Sequence, residues 1–278
     1  MSAYKSIHGL FFGIDTESEK VQARNGFASG GNGVPEVEHP DANTFGLMHD
    51  FIGETDTGAP RGVEKVAGDT GVNHSGVSGA VGGVYRFTLG STAAAAPASG
   101  GGINLGRCVE LSGVGSRSRL TARIRATNFN DTGRRLALFV GFTDTGGAAQ
   151  MPTYDTGAGF IAAATNAVGI FHGSRSDTGL SGVGIQAGTA RSPVVLDTGG
   201  LSPGEWKTFE VEIGVNAGDT GGYAKFIVDG KKSGSITGPV ARNIKLAPVV
   251  YAFQEDTGGG QVVDIDMIAV SGRRDTGI

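Results

Sequence analysis

The sequence predicts an all-β protein of antiparallel strands with very little helix. Three observations carry that expectation. Short runs alternate apolar and polar residues with period two, as in Phe209, Val211 and Ile213 against Glu210 and Glu212, the pattern of a strand buried on one face. Glycine accounts for 50 of 278 residues against 9 prolines, and it falls between the apolar runs, where tight turns need it. Asp229-Gly230 separates the Tyr223–Val228 run from the next one, a strong two-residue hairpin signal.

Taken in order, residues 1–44 differ from the rest. Gly9 to Ile14 and Lys20 to Ala23 can pair across Thr16-Glu17-Ser18-Glu19, and a Gly- and Pro-rich stretch without periodicity follows. This reads as an arm: a hairpin and an extended segment, with an extra edge strand of the sandwich as the alternative. Its apolar residues Leu10, Phe11, Phe12, Ile14 and Phe27 are too few to bury one another and are the candidates for attachment to a partner. Residues 45–278 read as the sandwich. Val81 to Leu89 is a strand, and Ser91 to Gly102 is a low-complexity surface loop in which Pro97 and the glycines stop a helix. Arg107 to Leu111 and Arg119 to Ala126 are strands; the second sets Leu120, Ala122, Ile124 and Ala126 against Arg119, Thr121, Arg123 and Arg125. Its charged face is a solvated sheet surface or a contact for an acidic partner. Leu136 to Phe142 and Val168 to Phe171 are buried strands. Phe209 to Ile213, Tyr223 to Val228, Val249 to Phe253 and Val262 to Val270 form an antiparallel meander. Its core candidates, Phe209, Val211, Ile213, Phe226, Val228, Val250, Ala252, Ile265 and Met267, follow the alternation.

Bulk properties exclude several classes. A formal charge of −4 and a pI near 5.7 give no support to a nucleic-acid surface. The single cysteine, Cys108, permits no intrachain disulfide, and its apolar strand context predicts a buried, inert thiol. No apolar run reaches the length of a membrane span, and the N-terminus has no apolar core of signal-peptide length. The chain is therefore expected to fold in the cytoplasm and not to insert into a membrane.

The triplet Asp-Thr-Gly begins at Asp56, Asp69, Asp131, Asp144, Asp155, Asp177, Asp197, Asp219, Asp256 and Asp275. Aspartic proteases need two such carboxylates sharing a proton at the centre of the molecule. Ten copies beside Gly, Asn or Ser single out no pair. The triplet reads instead as a turn module: Asp caps the backbone two residues on and Gly supplies positive φ. Several turns read as well without Thr-Gly, as expansions or a quirk of sequence assignment. Turn carboxylates can also hold calcium, yet no Asp-x-Asp-x-Asp loop occurs, and Asp264-x-Asp266 reads as strand surface. The Glu-x-Asp-x-x-Glu string of a glycoside hydrolase is absent, as are a Gly-x-Ser-x-Gly elbow, a phosphate loop and His spacing for a metal. No catalytic, cofactor-binding or metal-binding residues are assigned. Trp206 is expected to pack at a sandwich edge, with stacking on a sugar as the alternative.

A Trp-led strand, a strand ending in Asp-Gly, and LAPVVYAFQ followed by VDIDMIAV resemble the C-terminal half of a concanavalin A-like (laminin G-like) β-sandwich, or jelly roll. The upstream pieces HDFIGE, GGVYRFTLG, RLTARIRA, LALFVGFTD and AVGIFH fall in the order such domains use in bacteriophage structural proteins, so that the resemblance spans residues 45–272. It implies a non-enzymatic virion protein, a head-decoration, head-fibre or tail-fibre protein assembled in the host cytoplasm. The implied partners are the major capsid or tail proteins, further copies of the chain and a host-surface glycan. A lectin-like carbohydrate-binding module is the alternative, and a glycoside hydrolase comes third.

Overall fold

A computed structural model describes residues 4–7, 10–15, 20–23, 44–49, 51, 63–67, 72–77, 83–89, 100–126, 136–145, 152–155, 159–161, 164–173, 179–190, 192–197, 201–216, 218, 222–238, 240, 242–254 and 260–273. Among them there is no helix, as expected. The first three strands, β1 (Tyr4–Ile7), β2 (Leu10–Asp15) and β3 (Lys20–Ala23), make an antiparallel sheet of their own. The β2–β3 pairing sets Ile14 opposite Val21, the hairpin expected from the sequence. None of the three pairs with a sandwich strand.

The sandwich strands that follow are β4 (Thr44–His49), β5 (Glu64–Ala67), β6 (Asn73–Gly76), β7 (Tyr85–Thr88), β8 (Gly101–Asn104), β9 (Val109–Glu110), β10 (Arg117–Ala126) and β11 (Leu136–Thr143). A two-stranded sheet, β12 (Thr153–Asp155) and β13 (Gly159–Ile161), comes next. Then come β14 (Ala167–Gly173), β15 (Leu180–Gln186), β16 (Thr189–Ala190), β17 (Val194–Asp197), β18 (Lys207–Gly214), β19 (Tyr223–Val228), β20 (Lys231–Thr237), β21 (Lys245–Gln254) and β22 (Val262–Arg273). The eight-stranded sheet runs β20-β19-β18-β10-β22-β7-β6, with β4 also on β22. The nine-stranded sheet runs β16-β15-β14-β11-β21-β8-β5, with β17 on β15 and β9 on β21.

The core lies between these sheets. Leu120, Ala122 and Ile124 of β10 face Leu138, Val140 and Phe142 of β11 within one cluster of buried side chains. The ring of Phe226 on β19 sits where a Cβ at Gly182 of β15 would be, so the glycine lets the two sheets close on an aromatic ring. Asp229 and Gly230 both have positive φ, 49° and 76°, the conformation of a two-residue type I′ turn, and they join β19 to β20.

Four expectations need correction. The C-terminal segment is not one meander: β18, β19 and β20 follow one another, but β21 crosses to the nine-stranded sheet and β22 returns to pair with β10. The reason is visible in the burial. Apart from Lys245 at its start, β21 is buried on both faces, which suits only a strand covered on both sides, whereas β22 keeps a polar face. Met267 is half-buried and outside the core. A bulge between Arg123 and Ile124 in the β10–β22 register inserts an extra residue, and beyond it Ile268 and Val270 take the inward positions. Gly101 and Gly102 are not loop residues. They lie buried in β8, between β21 and β5, where a Cβ at Gly102 would strike the Val250 carbonyl oxygen. Cys108 is exposed, because β9 has shrunk to Val109–Glu110 and only Val109 turns inward.

The outer face of the nine-stranded sheet is itself buried. Phe139, Phe171, Val183, Ile185, Tyr251 and Phe253 form a second apolar cluster with exposures of 0–4%. The centre of that face is closed, whereas the polar face of the eight-stranded sheet carries half-exposed charged side chains along β10.

Candidate functional site

The polar face is organised by β10. Period-two geometry turns Arg117, Arg119, Arg123 and Arg125 outward while Leu120, Ala122, Ile124 and Ala126 fill the core. The neighbouring strands present carboxylates in register: Glu212 lies opposite Arg119 on β18, and Asp264 opposite Arg125 on β22. Cross-strand pairs of opposite charge stabilise a sheet face.

Glu212 is a hub. Its carboxylate accepts from Arg119 Nη2 and Lys225 Nζ, each at 2.8 Å, and from the Tyr223 hydroxyl at 3.1 Å. Burial pushes its pKa up, but the guanidinium, the ammonium and the hydroxyl outweigh it and hold the carboxyl at about 2. Arg119 also reaches Glu210 at 3.3 Å. Along the strand, Arg123 Nη1 donates to Asp266 at 2.5 Å.

Asp264 carries the tightest arrangement. Its side chain is fully buried, accepts two bonds from Arg86 (Nε at 2.6 Å, Nη2 at 2.9 Å) and two from Arg125 (Nε at 3.0 Å, Nη2 at 2.8 Å). The sequence reading of Asp264 as strand surface is therefore wrong for its exposure, although the residue does stand on the polar face. The bond to Asp264 raises the pKa of Arg86.

Trp206, directly before β18, is half-buried against this network. The guanidinium carbons of Arg123 and Arg125 lie 5.1 and 4.5 Å from its ring centroid, within cation–π range. The indole thus packs on two arginines of the neighbouring strand.

The carboxylates of this face are held in ion pairs and hydrogen bonds. A carboxyl that acts as general acid near neutral pH has its pKa raised, whereas Glu212 is pushed the opposite way, and Glu210, Asp264 and Asp266 sit in ion pairs. Among the described residues no group of three or more His, Cys, Asp or Glu side chains is placed to hold a metal ion. No described helix is long and apolar enough to cross a membrane.

The attachment candidates Leu10, Phe11, Phe12 and Ile14 share strand β2, the centre of the N-terminal sheet; Phe27 lies outside the described residues. Of the Asp-Thr-Gly triplets, Asp155 and Asp197 end strands. Asp144 begins the turn after β11, where its carboxylate accepts from Asn166 Nδ2 at 2.8 Å and its N–H donates to the Asn166 carbonyl at 3.0 Å. Asn166 Oδ1 in turn accepts from the Ala187 N–H at 3.2 Å, so this triplet ties two neighbouring turns together. Asp56, Asp69, Asp131, Asp177, Asp219, Asp256 and Asp275 lie outside the described residues. Substituting Asp197→Asn is expected to leave folding and any peptide cleavage unchanged; loss of a pepstatin-sensitive protease activity in that variant would show the turn reading to be wrong.

No protein-family model matches the sequence, and no curated protein is significantly similar to it. Solved structures do resemble it. A protein of unknown function from Shewanella oneidensis MR-1 is 15% identical, with 84% of this chain and 87% of that one covered and a TM-score of 0.50. The carbohydrate recognition domain of Emp47p is 10% identical, covering 86% and 100%, with a TM-score of 0.49. A carbohydrate esterase from the Shiga toxin-encoding bacteriophage phi24B is 13% identical, covering 82% and 100%, with a TM-score of 0.44. Identities this low speak to the fold alone. Over its described residues the chain is an all-β sandwich built on two large antiparallel sheets.

Proposed function

We propose that the chain is a non-enzymatic bacteriophage virion protein. Its sandwich projects from the capsid or tail and binds carbohydrate on the polar face of the eight-stranded sheet, and its arm attaches it to the major capsid or tail proteins. The observation that carries the binding role is the open face itself: a half-buried indole held on two guanidinium groups beside ion-paired carboxylates. An aromatic ring offers a sugar an apolar surface, and fixed polar groups orient its hydroxyls. Several copies on one particle would turn weak single contacts into firm adhesion.

A glycan array followed by calorimetry tests this. Trp206→Ala is expected to weaken binding about tenfold, the factor for 1.4 kcal/mol, while the melting temperature changes little. Turnover of a polysaccharide, or binding indifferent to Trp206, would overturn the assignment.

The attachment role is supported by the separation of the N-terminal sheet, whose strands share no backbone pairing with the sandwich. Deleting residues 1–43 should leave a folded body with a similar melting temperature that no longer enters particles. If the truncated body unfolds, the arm belongs to the sandwich and the attachment role falls.

A further inference from the structure

The polar face differs in charge from the chain that carries it. Arg117, Arg119, Arg123 and Arg125 on β10, with Arg86 and Lys225 beside them, set six cations against the four carboxylates Glu210, Glu212, Asp264 and Asp266, whereas the whole chain has a formal charge of −4. The excess is not spread evenly. Asp264 and Glu212 are enclosed by their partners, with side-chain exposures of 0% and 10%, while the side chains of Arg119 and Arg123 remain 46% and 47% exposed. The charge that stands toward solvent is therefore carried by the half-exposed guanidinium groups of Arg119 and Arg123, each already ion-paired on one side.

Arg123 is the residue whose geometry specifies a ligand. Its Nη1 is engaged by Asp266, and its guanidinium carbon lies 5.1 Å from the Trp206 ring. The opposite edge, Nε and Nη2, has no acceptor among the described residues. Those two parallel N–H groups form the fork that receives a carboxylate or sulfate through two bonds. Asp266 fixes the fork from one side, so little side-chain freedom is lost on binding.

We infer that this face selects an acidic glycan: a saccharide whose ring lies against Trp206 and whose carboxylate or sulfate occupies the Nε–Nη2 edge of Arg123. The inference rests on the glycan-binding reading and adds to it the ligand's charge and the residue that reads it. A nucleic acid would also offer oxyanions to the fork. The glycan is favoured because a single indole gives one stacking position, and because the acidic remainder of the chain repels a long polyanion.

The test is calorimetry on the full chain with size-matched neutral, uronic-acid-containing and sulfated oligosaccharides, and with a single-stranded oligonucleotide. The acidic saccharides are expected to bind roughly tenfold more tightly than the neutral one, with the margin shrinking as salt rises to about 0.15 M. Arg123→Gln should abolish the margin between acidic and neutral saccharides, whereas Trp206→Ala should weaken both classes alike and keep the margin. The wild-type ratio and its salt dependence make the same test without relying on a variant's fold. Equal affinity for neutral and acidic saccharides would overturn the acidic selection and leave the glycan reading standing. Absence of binding to every saccharide would overturn both, and preference for the oligonucleotide would replace the glycan with a nucleic acid.

Discussion

Asp264→Ala is expected to be the most damaging single change on the polar face, lowering stability by about 3 kcal/mol. Removing one partner of a buried ion pair leaves the other charge without compensation, and here two guanidinium groups, those of Arg86 and Arg125, lose their shared acceptor. Both arginines are about one-third exposed, so rehydration keeps the loss at the lower end of the range for buried pairs. Asp264→Asn keeps the shape without the charge and should fall between. Urea unfolding supplies the measurement, and an Arg125→Ala/Asp264→Ala double-mutant cycle isolates the pair. A loss below about 1 kcal/mol, the level of an exposed ion pair, would mean that Asp264 is not held as described.

Acidification should weaken the fold in two steps. His74 and His172 are each only 6% exposed. His74 packs against Tyr85 and Phe87, with ring centroids 5.9 and 6.1 Å away. Burial, with the Lys65 ammonium adding to it, lowers its pKa from 6.5 to about 4. Burial likewise lowers His172 to about 4, against a backbone hydrogen bond with Gly179 that raises it. Between pH 6.5 and 4 the unfolded chain binds these protons and the folded one does not, so stability falls as pH falls through that window and levels off near 4. Each histidine contributes about 2–3 kcal/mol to the decline, a large share of an ordinary domain's stability. Glu212 follows from the opposite direction: its folded pKa of about 2 lies below the unfolded 4.5, so its stabilisation is complete above 4.5 and disappears as pH drops toward 2. Urea midpoints at pH 7.5, 6, 5 and 4 should fall steadily, and His74→Leu should flatten the first step by about half. A midpoint unchanged from pH 7.5 to 5 would show that the histidines are not sequestered.

The alternation of Leu120, Ala122, Ile124 and Ala126 with arginines revealed β10, its buried face and its charged face, because one strand with one wet side writes its burial into its period. The same held for Phe209 to Ile213 and for the Asp229-Gly230 turn. The glycine-rich strands were not legible. In β8 and in β15, LSGVGIQ, glycines occupy buried positions because other backbone or a ring fills the space, and a residue without a side chain leaves no hydrophobic signal. The site was half legible. The arginine face stood out, but the burial of Asp264 depends on Arg86, 178 residues earlier, and Arg125, 139 earlier, and no local pattern reports such a meeting. Met267 was misplaced for a related reason, since a bulge shifts the phase of a strand without marking its sequence.

The pairing of β4 with the far end of β22 has a mechanical consequence. The ladder begins with Thr44 opposite Arg273 and runs to His49 opposite Ile268, so the strand that follows the arm enters the sandwich beside the strand that leaves it. Tension applied between residues 44 and 273 would load this ladder at its open end and part its hydrogen bonds one rung at a time, in the manner of a zipper. Tension between the arm and a ligand held on the polar face would instead pass through β4 into β22 and β10, with many bonds sharing the load at once. A body tethered by its arm alone would meet the second kind of pull, and a body anchored at both ends would meet the first.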